Sequence, residues 1–482
     1  MNSLSKNIIY KFILNIFNIF VPFIIGPYAL RVLGAETMAN IFYSQSIFEY
    51  FFIFSCFGIY QYGIRELSTV RKNKSILRQK FTSLLIISVL ASLTTILAFF
   101  IFINFKFKGQ IEFSILSILS INILSNMIYV EWAIEALEEY KFITIEAIIV
   151  KSIYVVLLIL LVKSPADYKI YLFLLVASSI ANNLISFIYI SIRIKFDFTD
   201  IRIKEHITPL LIVLLMANVN TLFTQLDKVF LGSFCINILY ISYFSIPQSL
   251  IATINKLLQS ILIVTIPRLS YTLNSGDKEK YEYIINKNNK VFFTLLIPIV
   301  FGTFVIADKI IILYAGYDYT ASILTMRLFT IYLFTLGIEY ILTNQVMYVN
   351  KKEKLLFLFI SISGVINLIF KILLVKFGAL NPNTAILTTI MSNIILLLLE
   401  YLYIIKYLNI NYDIFNKDFV KTILVCSLFI PINIIVNSAN LNMIVSVILI
   451  VVLCISIYSI YLFIFNKQIV REIINSIMKN KE

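Results

Sequence analysis

The chain has 482 residues, of which 60% are hydrophobic and only 14% are charged, and its formal net charge is +14. A soluble domain has about half apolar and about a quarter charged residues, so this composition excludes an ordinary soluble globular protein. The single histidine and the four scattered cysteines, which form no CxxC pair, argue against a metal site or a disulfide framework. No cofactor is predicted.

Apolar stretches long enough to cross a bilayer follow one another along the whole chain. About 20 residues at a rise of 1.5 Å span the ~30 Å hydrocarbon layer, and no alternating pattern indicates a barrel. The sequence therefore predicts an all-α polytopic membrane protein with about fourteen transmembrane helices. The predicted spans are residues 8–28, 38–63, 82–104, 113–133, 142–162, 170–190, 208–231, 238–263, 291–313, 320–347, 355–375, 384–405, 419–437 and 441–465.

Lysine and arginine are distributed unevenly over the loops that connect these spans. If the N-terminus is cytoplasmic, inner segments hold about 28 of the 40 basic residues and outer segments hold about seven. This positive-inside bias predicts that both termini are cytoplasmic, and it accounts for the basic charge without a nucleic-acid partner. The longest loop, 264–290, is also predicted to be cytoplasmic. Its charge run from Asp277 to Glu282 indicates a solvated interfacial helix, with an intracellular gate as the alternative.

A weak internal repeat relates two parts of the chain. The segment Arg31–Gly34 recurs as Lys228–Gly232, and each copy runs through another span to a basic cytoplasmic exit at Arg65 or Arg268. Six spans separate the copies, so both have the same membrane orientation, as in transporters built from two six-helix halves. We therefore predict two pseudo-symmetric six-helix bundles, followed by two appended helices and a basic cytoplasmic tail. The predicted ranges are 1–206, 207–410 and 411–482.

Several short segments, in this order along the chain, carry a family resemblance. They are Arg31–Glu36, Phe57-Gly58, Arg65-Glu66, Glu131–Glu138, Leu226–Gly232, Val365–Leu368, Lys376–Ala379, Thr384-Ala385 and Ser392-Asn393. Together they resemble the polysaccharide-transporter family, the O-antigen or Wzx-type flippases, of the MOP flippase superfamily. The chain departs from the family pattern at Ala136, where a turn glycine is usual, and at Asn381–Asn383, where small residues are usual.

The resemblance implies a flippase that moves lipid-linked oligosaccharide repeat units, carried on a polyprenyl pyrophosphate, from the inner to the outer leaflet by alternating access. The membrane potential, an ion gradient or both would drive it. Membrane lipids are implied partners, and H⁺ or Na⁺ and glycan polymerase or assembly proteins are further candidates. The protein is then not an enzyme, and its location is the bacterial plasma (inner) membrane.

Three alternatives remain beside this interpretation, the third of which is a non-transporting scaffold in a glycan assembly complex. The first is a lipid II or multidrug exporter of the same superfamily. The second, from a different class, is a membrane-embedded glycan polymerase or glycosyltransferase. Such enzymes need a catalytic set or a sizeable outer loop, and the sequence contains neither a Gly-x-Ser-x-Gly motif nor a complete phosphate-binding loop after Gly58.

A sugar pyrophosphate cannot enter hydrocarbon without polar partners, so basic and amide side chains inside spans are candidate cavity residues. For Lys256 and Arg327 the alternative is snorkelling to the membrane surface, and for Lys151 it is a helical ion pair with Glu146. Amides suit sugar hydroxyls because they donate and accept, but they also join helices. The candidate substrate-binding residues are Lys256, Arg327, Lys151, Asn218, Asn220, Asn255 and Gln248.

Charged residues at equivalent positions of the repeat predict a gate made of ion pairs, with a structural anchor as the alternative. Arg31, Asp227 and Lys228 precede the repeated glycines, at the outer ends of spans one and seven. The candidate gate residues are Arg31, Asp227, Lys228, Arg65 and Arg268. Glu49 and Glu339 lie inside spans and are the candidates for ion coupling, because buried carboxylates can exchange protons; pairing with cavity cations is their alternative role.

Overall fold

The structure is a computed structural model that describes residues 3–408, 410 and 417–465, without the side chains of residues 3–6, 8, 217, 219, 220, 222 and 223. The described residues are mostly helical and contain no strand, so the predicted all-α fold is confirmed. The side chain of the candidate residue Asn220 and the predicted basic tail after residue 465 lie outside the described residues.

The chain forms two compact units, Met1–Ser242 (unit 1) and Tyr243–Glu482 (unit 2). Unit 1 contains α1 (Ser3–Cys56), α2 (Ile59–Val70), α3 (Lys74–Lys106), α4 (Ile111–Ser125), α5 (Glu131–Ala136), α6 (Tyr140–Leu161), α7 (Tyr168–Arg193), α8 (Ile203–Phe234) and the start of α9 (Leu239–Ile263). Unit 2 continues with α10 (Ile266–Asn274), α11 (Lys278–Val305), α12 (Ala307–Tyr314), α13 (Ile323–Tyr340), α14 (Glu353–Lys376), α15 (Pro382–Tyr403), α16 (Lys417–Ser427), α17 (Phe429–Ser438) and α18 (Met443–Phe465). Two π-helical segments, Ile341–Tyr348 and Ile404–Leu408, follow α13 and α15.

Among the described residues, twelve helical segments are long and apolar enough to cross a membrane. The first, Ile9–Val70, has 62 residues and would measure about 90 Å if straight, three times the hydrocarbon thickness. Lys11 and Tyr60 nevertheless both contact Glu135, at 3.4 and 2.8 Å, so the segment turns back and crosses twice. α8 is a further helix of 32 residues. The predicted number of about fourteen spans is thereby confirmed.

The two glycines of the sequence repeat have different structural roles. Gly34 breaks α1 with φ 76° and ψ 167°, a conformation that is essentially restricted to glycine. Gly232 is helical, and a Cβ added there would lie 2.2 Å from Cδ2 of Tyr43. The Tyr43 hydroxyl also shares a hydrogen bond of 2.9 Å with Ser233. The repeated pattern thus provides a turn in the first copy and close helix packing in the second.

The only tryptophan of the chain lies at the centre of a close-packed core in unit 1. Trp132 on α5 is fully buried, and its indole N–H donates to the carbonyl oxygen of Tyr129 at 3.1 Å. Its ring lies 5.7 Å from that of Phe81, between centroids. A Cβ at Gly63 of α2 would lie 2.4 Å from Cε3 of Trp132. α2 can therefore approach α5 this closely only because residue 63 has no side chain.

The segment predicted as a long cytoplasmic loop, 264–290, is mostly helical. α10 occupies its first part, and the side chain of Asp277 caps α11 by accepting from the backbone N–H of Lys280 at 3.0 Å. The charge run from Asp277 to Glu282 therefore forms the cap and first turn of α11, which continues without a break into a span. The run is helical, as predicted, but it begins a span and is not part of a loop, because the helix extends beyond the apolar stretch that hydropathy detects.

The boundary between the units lies after α8, since α8 packs on α1, α2 and α3. The sequence repeat instead makes this helix the first of the second half, from residue 207. The repeat describes the order of the spans along the chain, whereas the two units describe which helices pack together. The predicted division into 1–206, 207–410 and 411–482 therefore stays a prediction.

Candidate functional site

A polar cavity of about 140 Å³ lies inside unit 1. Helices α1, α5, α6 and α7 contribute its lining residues, which are Leu14, Asn18, Glu131, Ile143, Glu146, Ala147, Lys151, Asn182, Asn183 and Ser186. A space of this size holds on the order of a few water molecules. It can accommodate a cation or one small polar group, but it is too small for a whole oligosaccharide repeat unit.

The charged side chains of this cavity have partners on other helices. The Lys151 ammonium donates to Oδ1 of Asn18 at 2.5 Å and interacts electrostatically with Glu131. The Ser186 hydroxyl lies 2.9 and 3.1 Å from the two oxygens of Glu146. The alternative in which Lys151 pairs with Glu146 is therefore wrong for the described structure. With both acids and the lysine ionised, the cavity has one uncompensated negative charge.

A second group of charges in unit 1 lies on α1 and α8. Glu49 interacts electrostatically with Lys228, and Lys228 also interacts with the adjacent Asp227. Asp227 is buried at 2% exposure, whereas Arg31, just before the Gly34 break, is exposed. The structure thus brings the ion-coupling candidate Glu49 to the gate candidate Lys228, an association that sequence position alone does not indicate.

The remaining candidates of unit 1 make local contacts. The Arg65 side chain, exposed on α2, lies 3.8 Å from Glu66 and 5.2 Å from the ring centroid of Tyr62. The Asn218 amide donates to the carbonyl oxygen of Leu214 in its own helix at 2.9 Å. Their described contacts are with neighbouring residues, and their gating and substrate-binding roles stay predictions.

In unit 2, three candidates follow one another on α9. Lys256 is exposed and lies on α9, seven residues before the helix ends at Ile263. Asn255, its neighbour, has a buried side-chain oxygen without a hydrogen-bond partner, and Gln248 is half-buried two turns earlier. Arg268 is exposed on α10. Lys256 lies in an apolar helix and requires a polar environment there, because hydrocarbon would not solvate its ammonium.

Arg327 on α13 lies beside an apolar cavity of unit 2. Its guanidinium carbon is 5.8 Å from the ring centroid of Phe304, and its Nε is buried without a hydrogen-bond partner. Phe304 also lines the cavity of about 380 Å³, whose described lining residues are Ile297, Val300, Phe301, Phe304, Thr330, Ile331, Phe334, Ile423 and Ile430. A cation next to an apolar groove suits an amphiphile with an anionic head.

The ion-coupling candidate Glu339 has a partner that the sequence interpretation missed. Its carboxylate accepts from the amide of Asn393 at 2.5 Å, and it interacts electrostatically with Glu400. Glu400 is the single acid in the apolar run Ile394–Leu402. Its charge inside a predicted span could therefore have identified it as a candidate from the sequence. The sequence interpretation also did not include Glu131 and Glu146 among the cavity residues.

Comparisons with known proteins agree with this architecture. A family model described as polysaccharide biosynthesis protein matches residues 4–273, more than half of the chain. A protein of Shigella dysenteriae named "Putative O-antigen transporter" is 25% identical over 400 residues, which are 80% of this chain and 97% of that protein.

Two solved transporters share the fold. The lipid II flippase MurJ in its inward closed conformation has a TM-score of 0.69 at 19% identity, with 95% of this chain and 99% of that chain covered. An inward-facing multidrug resistance MATE family transporter of the MOP superfamily has a TM-score of 0.57 at 12% identity, covering 80% and 93%. The predicted multi-pass transporter architecture is confirmed. The chain belongs to the polysaccharide biosynthesis protein family and has the transporter fold of the MOP superfamily.

Proposed function

We propose that the protein is a flippase that moves lipid-linked oligosaccharide repeat units from the inner to the outer leaflet of the bacterial plasma membrane by alternating access. Membership of the polysaccharide biosynthesis family supports a glycan cargo, and the Shigella relative supports transport of an O-antigen-like glycan. The substrate is then an anionic sugar headgroup on a long isoprenoid chain, and both termini of the protein are cytoplasmic.

The observation that carries this proposal is Lys256, an exposed lysine on the apolar helix α9, seven residues before that helix ends at Ile263. A lysine inside an apolar span is costly in hydrocarbon and commonly faces a polar cavity. Within the described part of unit 2, no acceptor contacts its ammonium. A hydrated, cationic surface inside the membrane is what a pyrophosphate headgroup requires.

The groove beside Arg327 supports an amphiphilic substrate. Its described lining is almost wholly apolar, which suits an isoprenoid chain, while the unpartnered Nε of Arg327 suits an anionic oxygen. A multidrug exporter for cationic compounds would need acidic groups at these positions, since like charges repel.

Replacement of Lys256 by alanine is expected to lower surface glycan at least about tenfold, because one ionic contact of ~1.4 kcal/mol or more is lost from the moving headgroup. The measurement is the amount of surface polysaccharide in a deletion strain that expresses the variant at the wild-type level. Lys354→Ala, in the first turn of α14, is the control and should have no effect. Normal glycan in the Lys256 variant would remove this residue from the substrate site.

The proposed direction of transport fits the membrane potential. An anionic headgroup that moves outward goes from the negative to the positive side, and two charges gain roughly 5 kcal/mol at 100 mV. We expect deletion of the gene to deplete surface glycan and to leave lipid-linked repeat units on the inner face, as measured by their accessibility in spheroplasts and inverted vesicles. Valinomycin with potassium should slow the appearance of repeat units outside.

Two results would contradict this function. If the deletion strain keeps its surface glycan but needs a second lipid II flippase to survive, the cargo is the peptidoglycan precursor, as for MurJ. If purified protein extends glycan chains without any second protein, it is an enzyme of the polymerase or glycosyltransferase class.

A further inference from the structure

Two carboxylates on neighbouring helices of unit 2 interact electrostatically, and each accepts a hydrogen bond from the other helix or the segment that follows it. Glu339 near the end of α13 accepts from the Asn393 amide at 2.5 Å, and Glu400 near the end of α15 accepts from the Thr343 hydroxyl at 2.8 Å. Glu339 and Thr343 are four residues apart, and Asn393 and Glu400 are seven apart, so each pair lies on one helix face. α13 and α15 pack directly together.

The two carboxylates lack a compensating cation. Glu400 is fully buried, and its second oxygen has no hydrogen-bond partner. The Asn393 side chain is 6% exposed, and its carbonyl oxygen also has no partner. In the described portion of unit 2, neither glutamate forms an ion pair with lysine or arginine. Two ionised carboxylates that interact electrostatically with each other and with no cation would be strongly destabilising inside a membrane.

Other charged groups on the adjoining helices have their own partners. The Lys371 ammonium on α14 donates to the Ala385 carbonyl and to Thr388, both at 2.6 Å. Thr388 is five residues before Asn393, the partner of Glu339, and twelve before Glu400, or about 8 and 18 Å along α15, and neither carboxylate interacts electrostatically with Lys371. Lys290 on α11, which also packs on α13, lies 2.5 Å from Asp418. These groups do not neutralise the two carboxylates.

The pair has one accessible and one enclosed member. Glu339 is half-buried, whereas Glu400 has no exposed surface. Thr343, the hydrogen-bond donor to Glu400, lies in the π-helical segment Ile341–Tyr348, and a second π segment starts at Ile404. π-helical turns are uncommon and occur frequently at functional sites. Glu339 is therefore the member of the pair that solvent protons reach first.

We propose that Glu339 and Glu400 hold one exchangeable proton between them and form the proton-coupling site of the transport cycle. This proton removes one of the two negative charges. A sodium ion fits less well, because the Asn393 amide and the Thr343 hydroxyl already direct hydrogen atoms at these carboxylates. The coupling role rests on the proposed function, whereas the proton site itself does not.

The site is testable by infrared difference spectroscopy on the purified full chain in lipid nanodiscs without sodium. The wild type should show the C=O band of a protonated carboxylic acid that shifts in D₂O and disappears as the pH is raised. Glu339→Gln and Glu400→Gln should each abolish this titrating band, and the control Glu353→Gln, at the first turn of α14, should retain it. A band unaffected by either of the first two substitutions would overturn the proposal, as would a band that sodium removes at constant pH.

A third variant keeps the test valid if the glutamine variants do not fold. Glu400→Asp keeps a carboxyl group but moves it back by one methylene, so the midpoint of the band's titration should shift by at least about one pH unit, equivalent to ~1.4 kcal/mol. An unchanged midpoint would contradict a shared proton. Folding of each variant is checked by gel filtration and by the fluorescence of Trp132.

The coupling role has a separate readout in cells. Glu400→Gln should lower surface glycan at least about tenfold, whereas Glu353→Gln should not. Wild-type glycan with Glu400→Gln would overturn the coupling role. The infrared measurement uses no oligosaccharide, so a failure of the proposed flippase function would leave the titrating band in place, and the two failures are distinguishable.

Discussion

Replacement of Gly63 by alanine is expected to destabilise unit 1 by about 1–3 kcal/mol, the usual cost of overpacking a close-packed core. The added Cβ would lie 2.4 Å from the ring of Trp132, a fully buried side chain that its hydrogen bond to Tyr129 holds in place. α2 and α5 must then separate. Trp132 is the only tryptophan, so its fluorescence during thermal unfolding in detergent reports directly on this core, and the midpoint should fall by several degrees.

Gly302 provides a matched control for this substitution. It lies in the interior of α11, and nothing occupies the 4 Å around the position of an added Cβ. Alanine has the higher helix propensity by about 0.8–1.0 kcal/mol, so Gly302→Ala should leave stability unchanged or raise it. Equal unfolding midpoints for Gly63→Ala and wild type would show that α2 and α5 are less closely packed than described.

Replacement of Lys151 by methionine is expected to reduce glycan transport ten- to a hundredfold. The lysine is the only basic residue lining the described cavity of unit 1. Its removal leaves no basic residue on the cavity wall beside Glu131 and Glu146 and deprives Asn18 of a donor. The loss of one member of a buried charge group commonly costs a few kcal/mol, which is enough for this reduction. Surface glycan at equal protein level is the measurement.

Two further variants separate charge balance from direct contact with the substrate. Lys151→Met combined with Glu131→Gln restores the net charge of the cavity, so transport should recover if the lysine acts through charge. Lys163→Ala is the control, because its ammonium is exposed and contacts only a backbone carbonyl of its own helix. Wild-type transport by Lys151→Met alone would exclude any role for this charge.

The number of helices was predictable from the sequence because each crossing needs its own apolar run of about 20 residues. Helix ends were less predictable. α11 begins at Lys278, thirteen residues before the predicted start at 291, because a capped helix extends into water through charged residues that hydropathy excludes. The two repeat glycines show the same limit, since similar motifs contain a break with positive φ at Gly34 and a helical contact at Gly232.

The candidate site was predictable as a set of residue types but not as a set of neighbours. Intramembrane charge identified Lys151 and Glu339, because such residues are costly and usually functional. Their partners were not visible in the sequence. Asn18 is 133 residues from Lys151, and Asn393 is 54 residues from Glu339. Only packing of separate spans determines which of several isolated polar residues meet.

Glu135, which joins the two ends of the first helical hairpin, also sets an order for biogenesis. Tyr60 leaves the ribosome 75 residues before this carboxylate, an interval of roughly 4–15 s at common rates of synthesis. During that time the first two spans are already in the bilayer, but the contacts that hold Lys11 and Tyr60 together do not yet exist. The bend at Gly34 must therefore form first from its local backbone preference. The later helices then stabilise it through the contacts of Glu135 with Lys11 and Tyr60.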